Sequence, residues 1–405
     1  MPGHVQMAAS KPEQLSFSAT ITDVDDDTVA LDETFFFAES GGQPADRGTL
    51  AGISVTDVQH NDDINYHRVE DVSEFAVGDT VDGEIDSAFR RYCTRAHTAS
   101  HVVYGAANRE LGDIGYGGFS IGESKVRIDL TSNETIDETT ILRIERLANQ
   151  AVWESRPVSW SEIPSNVAKR SDDVAFNVAT EDGFAESEQV RIVEIEGWDR
   201  AACGGTHVEN TAEIGPIHLF DRSNPGQGLT RVEFAVGTEA VDQIINMHQN
   251  VTRAANLLQT TPQSLPAAIQ ALKGEVDSKD NRIAALEGTI LEQHIADFET
   301  VTTASTRWKV GIVPSMATDQ HGTILRNAIG TQQADVIVSL SGQDRTTIAV
   351  YSNGQVSAKS VVDVVTRKMG GGGGGNETAA QGGGIPTDPD SVLDLIQDVI
   401  IHQFP

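Results

Sequence analysis

"RAACGGTHVEN", residues 200–210, sets Cys203 and His207 four positions apart, with Gly204 and Gly205 between them. A thiolate and an imidazole at this spacing are half of a metal site, since soft sulfur and borderline nitrogen together suit Zn²⁺. The glycines allow the backbone to approach closely. The other half is "HTASH", residues 97–101. Positions i and i+4 share one face of a helix, so His97 and His101 can converge on one cation. A single site built from both halves needs a fold that returns a glycine-rich turn to a helix a hundred residues earlier.

The text around the two halves supports such a fold. Residues 1–90 read as short strands punctuated by Gly and Asp, among them "LSFSATITDVDDDTVALDETFFF" and "GTLAGISVTDVQH". They predict a small β-barrel-like unit. From Arg90, "RRYCTRAHTASHVVYGAANRELG" has helical periodicity and stops at Gly112, a plausible C-cap. A glycine-rich strand pair, "GYGGFSIGESKVRIDL", and a helix carrying Ile141, Ile144 and Leu147 follow. Strands return in "QVRIVEIEGWD", "EIGPIHLFDRS" and "GLTRVEFAVG". Residues 91–238 are thus an α/β core around the metal motifs.

Residues 239–304 read as a helical connector. Ile269, Leu272, Val276, Ile283, Leu286 and Ile290 fall on a and d heptad positions, Lys279 interrupting one d. They fit either two helices folding back or a dimerising coiled coil. Residues 305–405 are α/β, with strands in "RWKVGIVPS", "ADVIVSLSG" and "TTIAVYSNG". Their glycine run "GGGGGGNETAAQGGG", 370–384, is either a phosphate-cradling nest or a linker, and an ordered loop within one module suits the short helix after it. The fold class is α+β in four parts: 1–90, 91–238, 239–304 and 305–405.

Composition sets the bounds. A chain of 405 residues with 39% hydrophobic residues holds sizeable cores. It has no apolar run long enough to cross a membrane and no secretory leader pattern. Two cysteines make no disulfide framework, and the expected location is the cytoplasm. The net charge is −31, and only eight of 29 cationic residues are lysine. Such acidity argues against a phosphate-binding protein, or marks a halophilic one: in molar salt the Debye length falls to roughly 3 Å and a diffuse negative surface no longer repels a polyanion. Cys93 competes as a ligand but lies eight residues from His101, about 12 Å along a helix, and reads as packing.

The order of "FFFAESGGQPADRGTL", "HTASH", "RAACGGTHVENTAEIGPI" and "GLTRVEFAVG" resembles the editing domain of alanyl-tRNA synthetases and their freestanding relatives, the AlaX family. The C-terminal part is similar to the DHHA1 domain that ends those synthetases. The acidic composition is similar to that of haloarchaeal proteins. The resemblance implies that His97, His101, Cys203 and His207 bind Zn²⁺, and that Gly41, Gly42 and Gln43 shape the acyl pocket or its entrance. Ser40 stands where many relatives have the first of three glycines. No adenylate-forming domain is expected ahead of the barrel. What the resemblance implies is therefore a long-form trans-editing hydrolase, deacylating mischarged Ser-tRNA(Ala) and Gly-tRNA(Ala) without aminoacylation. Its partner is the tRNA(Ala) acceptor end, met by Arg90, Arg91, Arg95 and Arg231 and by Gly372 and Gly373; the arginines fit surface ion pairs equally well. Lys125 and Arg127 lie on neighbouring strands. A homodimer through the C-terminal half is a second partner. Two rivals stand. Four protein ligands normally close a structural zinc, which would make this a non-catalytic tRNA-binding protein. DHHA1 domains also accompany phosphoesterases, whose Asp-His-His motif is absent.

Overall fold

The computed structural model describes residues 6–112, 114–132, 134–171, 174–175, 189–226, 228–313 and 318–404. The chain divides into two compact units, residues 1–253 and 254–405, the helix Gly237–Leu257 spanning the division.

In the first unit, six strands close a barrel: β1 (Ser16–Asp25), β2 (Thr28–Leu31), β3 (Gly48–Leu50), β4 (Ile53–Asn61), β5 (Ile64–Val69) and β6 (Thr80–Ile85). Their order is β1-β2-β5-β4-β3-β6, and β6 returns to pair with β1 from Ser16↔Glu84 to Thr20↔Thr80. Closure leaves no edge. Strand β6 alternates exposed and buried residues, as a half-buried strand must, and Val81 and Ile85 join Ile21, Phe36, Leu50 and Val58 in the barrel's core.

The chain leaves β6 directly into the helix Ser87–Leu111. Asp86 caps it, accepting from the amides of Ala88 and Phe89, and Gly112 ends it with φ +80°. A four-stranded sheet, β12 (Ile217–Gly226), β13 (Leu229–Val236), β8 (Val126–Ser132) and β7 (Ile114–Ile121), packs with this helix and with Glu138–Trp153 around Val102, Val103, Ile128, Leu130, Ile144 and Phe234. A second sheet joins β11 (Asp199–Ala202), β10 (Gln189–Ile195) and β9 (Val158–Pro164). It carries the Cys203 turn at its end. The histidine helix is thus buried where both sheets and the barrel meet it, and Cys93 is packed into its core.

The second unit is a six-stranded sheet: β14 (Glu299–Thr302), β15 (Arg307–Ile312), β16 (Val336–Gly342), β17 (Thr346–Ser352), β19 (Ala379–Ile385) and β18 (Gly372–Gly375). Only β15 and β16 are parallel, joined through the helix Thr318–Thr331. The strand expected over 307–315 ends at Ile312; residues 314 and 315 lie outside the described residues. The glycine run is not a loop. It is a β18–β19 hairpin against the helix Ala358–Met369, and a Cβ on Gly373 would sit 2.6 Å from both the Gln381 carbonyl and Val362. Glycine is there for close packing of strand on helix. In the helix Leu265–Ala296 the six apolar heptad residues are 43–54% exposed, a stripe left uncovered. Among the described residues no helix is long and apolar enough to cross a membrane.

Candidate metal centre

His97, His101, Cys203 and His207 meet. One ligand atom from each lies within 4.8 Å of the others, and all four residues are buried. Cys203 Sγ is 3.1 Å from His97 Nε2 and 3.2 Å from His207 Nε2. A tetrahedron with metal–nitrogen bonds of about 2.0 Å and a metal–sulfur bond of about 2.3 Å spaces its donors by roughly 3.3–3.6 Å, so the set is close to a zinc-sized cage.

The outer edges of the imidazoles are committed. His97 Nδ1 is 2.8 Å from Gln43 Oε1, which also accepts from the Thr206 amide at 3.0 Å. His101 Nδ1 is 2.7 Å from Asp199 Oδ2. His207 Nδ1 is 3.2 Å from Thr98 Oγ1. The Thr98 hydroxyl donates its one hydrogen to the Thr94 carbonyl at 3.0 Å, so toward His207 its oxygen accepts. Each ring therefore donates through Nδ1 and presents Nε2 inward, the tautomer a metal ligand needs.

Without a cation, the buried charges redistribute. Burial pushes the Cys203 thiol up, but the charges of His97 and His207 and bonds from His101 and His207 outweigh it and hold it well below its ordinary value. Burial works to lower His101, yet its bonds to Asp199 and Cys203 prevail and raise it to about 10. Burial dominates at His207 and lowers it to about 3. A thiolate ready to bind is what a thiophilic cation requires.

Glycine makes the cage compact. A Cβ on Gly205 would lie 2.1 Å from His97 Cε1 and 2.8 Å from Gln43 Oε1. One on Gly42 would lie 2.2 Å from the Phe119 carbonyl oxygen, and Gly42, at φ +91°, accepts from the Ile121 amide at 2.9 Å. A cavity of about 80 Å³ opens beside the ligands, walled by Ser40, Gly41, Tyr104, Tyr116 and Phe119.

The other residues singled out by the sequence are scattered. Gly41 lines the cavity, but Gln43 stands behind His97, fully buried. Arg90 is buried, pairs with Asp46 and donates to the carbonyls of Pro12 and Phe35, so its guanidinium is used inside the fold. Arg231 Nε and Nη2 bond Asp129 at 2.8 and 2.9 Å. Lys125 pairs with Glu233, and Arg127 is exposed. Arg91 is exposed and Arg95 half-buried, and among the described residues neither makes an ion pair. Gly372 and Gly373 are in the extended edge strand β18, which is not the alternating turn of a phosphate nest.

Sequence reading missed Asp199 and Arg191. Arg191 is buried and donates to the carbonyls of Cys203 and Gly205, each at 2.9 Å, and to that of Ala9 at 2.9 Å, tying the ligand turn in place. A signal for Asp199 existed: it precedes Cys203 by four residues, at the start of the short strand that leads into the ligand turn.

Comparison with known proteins places these parts. Residues 5–89 match the model "tRNA synthetases class II (A)", residues 190–233 the "Threonyl and Alanyl tRNA synthetase second additional domain", and residues 299–402 the "DHHA1 domain". An alanine–tRNA ligase of Natronomonas pharaonis is 33% identical over 419 residues, covering 99% of this chain and 44% of that protein. One of Methanococcus maripaludis is 34% identical over 295 residues, 72% of this chain and 33% of that protein. The chain thus spans less than half the length of these relatives. The C-Ala domain of Aquifex aeolicus alanyl-tRNA synthetase, a solved structure, is 22% identical with a TM-score of 0.21, covering 25% of this chain and 96% of that one.

Proposed function

We propose, from the premise that this chain carries the editing-related and DHHA1 domains of the alanyl-tRNA synthetase family, that it is a zinc-dependent deacylase of mischarged Ser-tRNA(Ala) and Gly-tRNA(Ala). The observation that carries this reading is the cage of three Nε2 atoms and one sulfur opening onto a small cavity. Its role as a freestanding editor, deacylating without charging tRNA, is part of the proposal, as are a cytoplasmic, halophilic setting and the division of labour among residues 1–90, 91–238, 239–304 and 305–405.

When bound, a divalent cation supplies positive charge that lowers the cost of charge developing on an ester oxygen. The chain does the rest. Gln43, Asp199 and Thr98 fix the ligand tautomers. The aromatic walls, Tyr104, Tyr116 and Phe119, enclose a small acyl group and limit water beside it. Selection against alanine follows if the pocket pairs the seryl hydroxyl, because alanine would leave that buried group unpaired. Arg91 and Arg95, without acidic partners among the described residues, are the cations we assign to the tRNA acceptor end. The exposed heptad stripe of Leu265–Ala296 is the surface we assign to a homodimer.

His97→Ala or Cys203→Ala should abolish deacylation while tRNA binding persists; full activity in either metal-free variant would refute a catalytic metal. The second reading, a tRNA-binding protein with a structural zinc, draws on one observation: the cage already holds four protein donors. It predicts that wild-type protein retains zinc and binds tRNA with no turnover of any aminoacyl ester.

A further inference from the structure

Of the three outer partners of the imidazoles, Gln43 and Thr98 are neutral and Asp199 alone is charged. Its carboxylate and the His101 ring are 6% and 10% exposed, so bulk water screens the pair little. Asp199 opens strand β11 at the turn after β10, and that turn is locked onto the histidine helix one turn beyond His101. The Trp198 indole donates to the Val102 carbonyl at 3.0 Å. Arg109 stacks on the indole with its guanidinium carbon 3.9 Å from the ring centre, and Arg156 approaches to 5.0 Å. Arg109 also donates to the carbonyls of Gly197, Trp198 and Gly105. The fit admits no larger residue at position 105, where a Cβ would sit 2.6 Å from the indole nitrogen.

Trp198 thus anchors the turn just ahead of Asp199 to the very helix that carries His101, through its N–H to Val102 and its ring against Arg109. The carboxylate is thereby placed against Nδ1 without depending on loop packing. Charge adds a second argument. A cation of charge +2 among three neutral imidazoles and one thiolate leaves a net charge of +1 in a buried cage. The Asp199 carboxylate brings the cage with its cation to neutrality, which neither Gln43 nor Thr98 can do.

We propose that Asp199, clamped by Trp198 and Arg109, is the positioning residue that sets how tightly the His/Cys cage retains its metal. This rests on the reading of the four residues as a metal site. Loss of an outer partner of this kind costs about 10- to 100-fold in metal affinity.

The test uses the full-length protein and Zn²⁺ itself, titrated against a chromophoric chelator, with wild type, Asp199→Asn and Asp199→Glu compared. Asparagine keeps the shape and loses the charge, so affinity should fall about 10- to 100-fold. The metal-free form of Asp199→Asn also loses its buried pair with His101 and should melt below wild type, so the titration is run well below both melting points, and glutamate should recover part of the affinity. If kinetics are followed as well, kcat should fall with KM little changed. Equal zinc affinity in wild type and Asp199→Asn overturns the proposal. A wild type that holds no zinc overturns the metal-site reading beneath it, a distinct result. Should Asp199→Asn not fold, Trp198→Phe serves: it keeps the ring but loses the bond to Val102, and a several-fold loss of zinc affinity supports the clamp, whereas none overturns it.

Discussion

His67 lies wholly inside the barrel, with Nδ1 3.0 Å from the Val29 carbonyl and Nε2 2.8 Å from the Thr34 hydroxyl. Burial outweighs the Val29 bond and lowers its pKa from 6.5 to about 4. The unfolded chain then binds a proton between these values that the folded chain refuses. Stability is therefore full above pH 6.5 and falls as pH drops toward 4, by about 3 kcal/mol from this one group. Denaturant melts at pH 7 and 4.5 should show the loss, and His67→Gln should flatten part of it. An equal slope in the variant would place the acid sensitivity elsewhere. At the metal centre, Gly205→Ala puts a methyl group against His97 and Gln43. It should lower zinc affinity at least tenfold, read by chelator competition; wild-type affinity would mean that the turn relaxes freely.

At the scale of elements, the helix Leu265–Ala296 carries a prediction of its own. Six heptad residues stay uncovered along it, and Lys279 is held by Glu275 at i−4. Leu286→Lys should shift sedimentation in molar KCl from dimer toward monomer; an unchanged mass would take the stripe out of self-association. Local sequence foretold much here and failed in identifiable places. The helix Ser87–Leu111 was legible from its periodicity and its stop at Gly112, but its start was read at Arg90 because the Asp86 cap went unrecognised. The strands of the barrel were legible from alternation. The glycine hairpin β18–β19 was not, because glycine has no side chain to signal strand, and its pairing is chosen by the helix packed over it. The four donors were visible as two spaced pairs. The burial of Arg90 was not legible, because it depends on a carboxylate 44 residues away, Asp46, which no local pattern marks. Asp199 escaped for the same reason, as did the bond between Gln43 and His97: each is a contact across the fold.

For the whole molecule, the charge of −31 sets the conditions of any measurement. Like charges repel across the surface until salt screens them. The thermal midpoint should rise as KCl goes from about 0.1 M toward molar concentrations, the Debye length shrinking from about 10 Å to about 3 Å; a midpoint independent of salt would contradict the halophilic reading. The same screening is what would let an acidic protein meet tRNA. On the proposed function, the cage beside the small cavity removes the wrong amino acid from tRNA(Ala). The most direct test is deacylation of Ser-tRNA(Ala) beside Ala-tRNA(Ala) in molar KCl, with and without a zinc chelator. Serine should be lost rapidly and alanine spared, and the chelator should abolish the reaction. Turnover of neither ester by zinc-loaded protein that still binds tRNA would contradict the proposed function and leave a binding module with a structural metal.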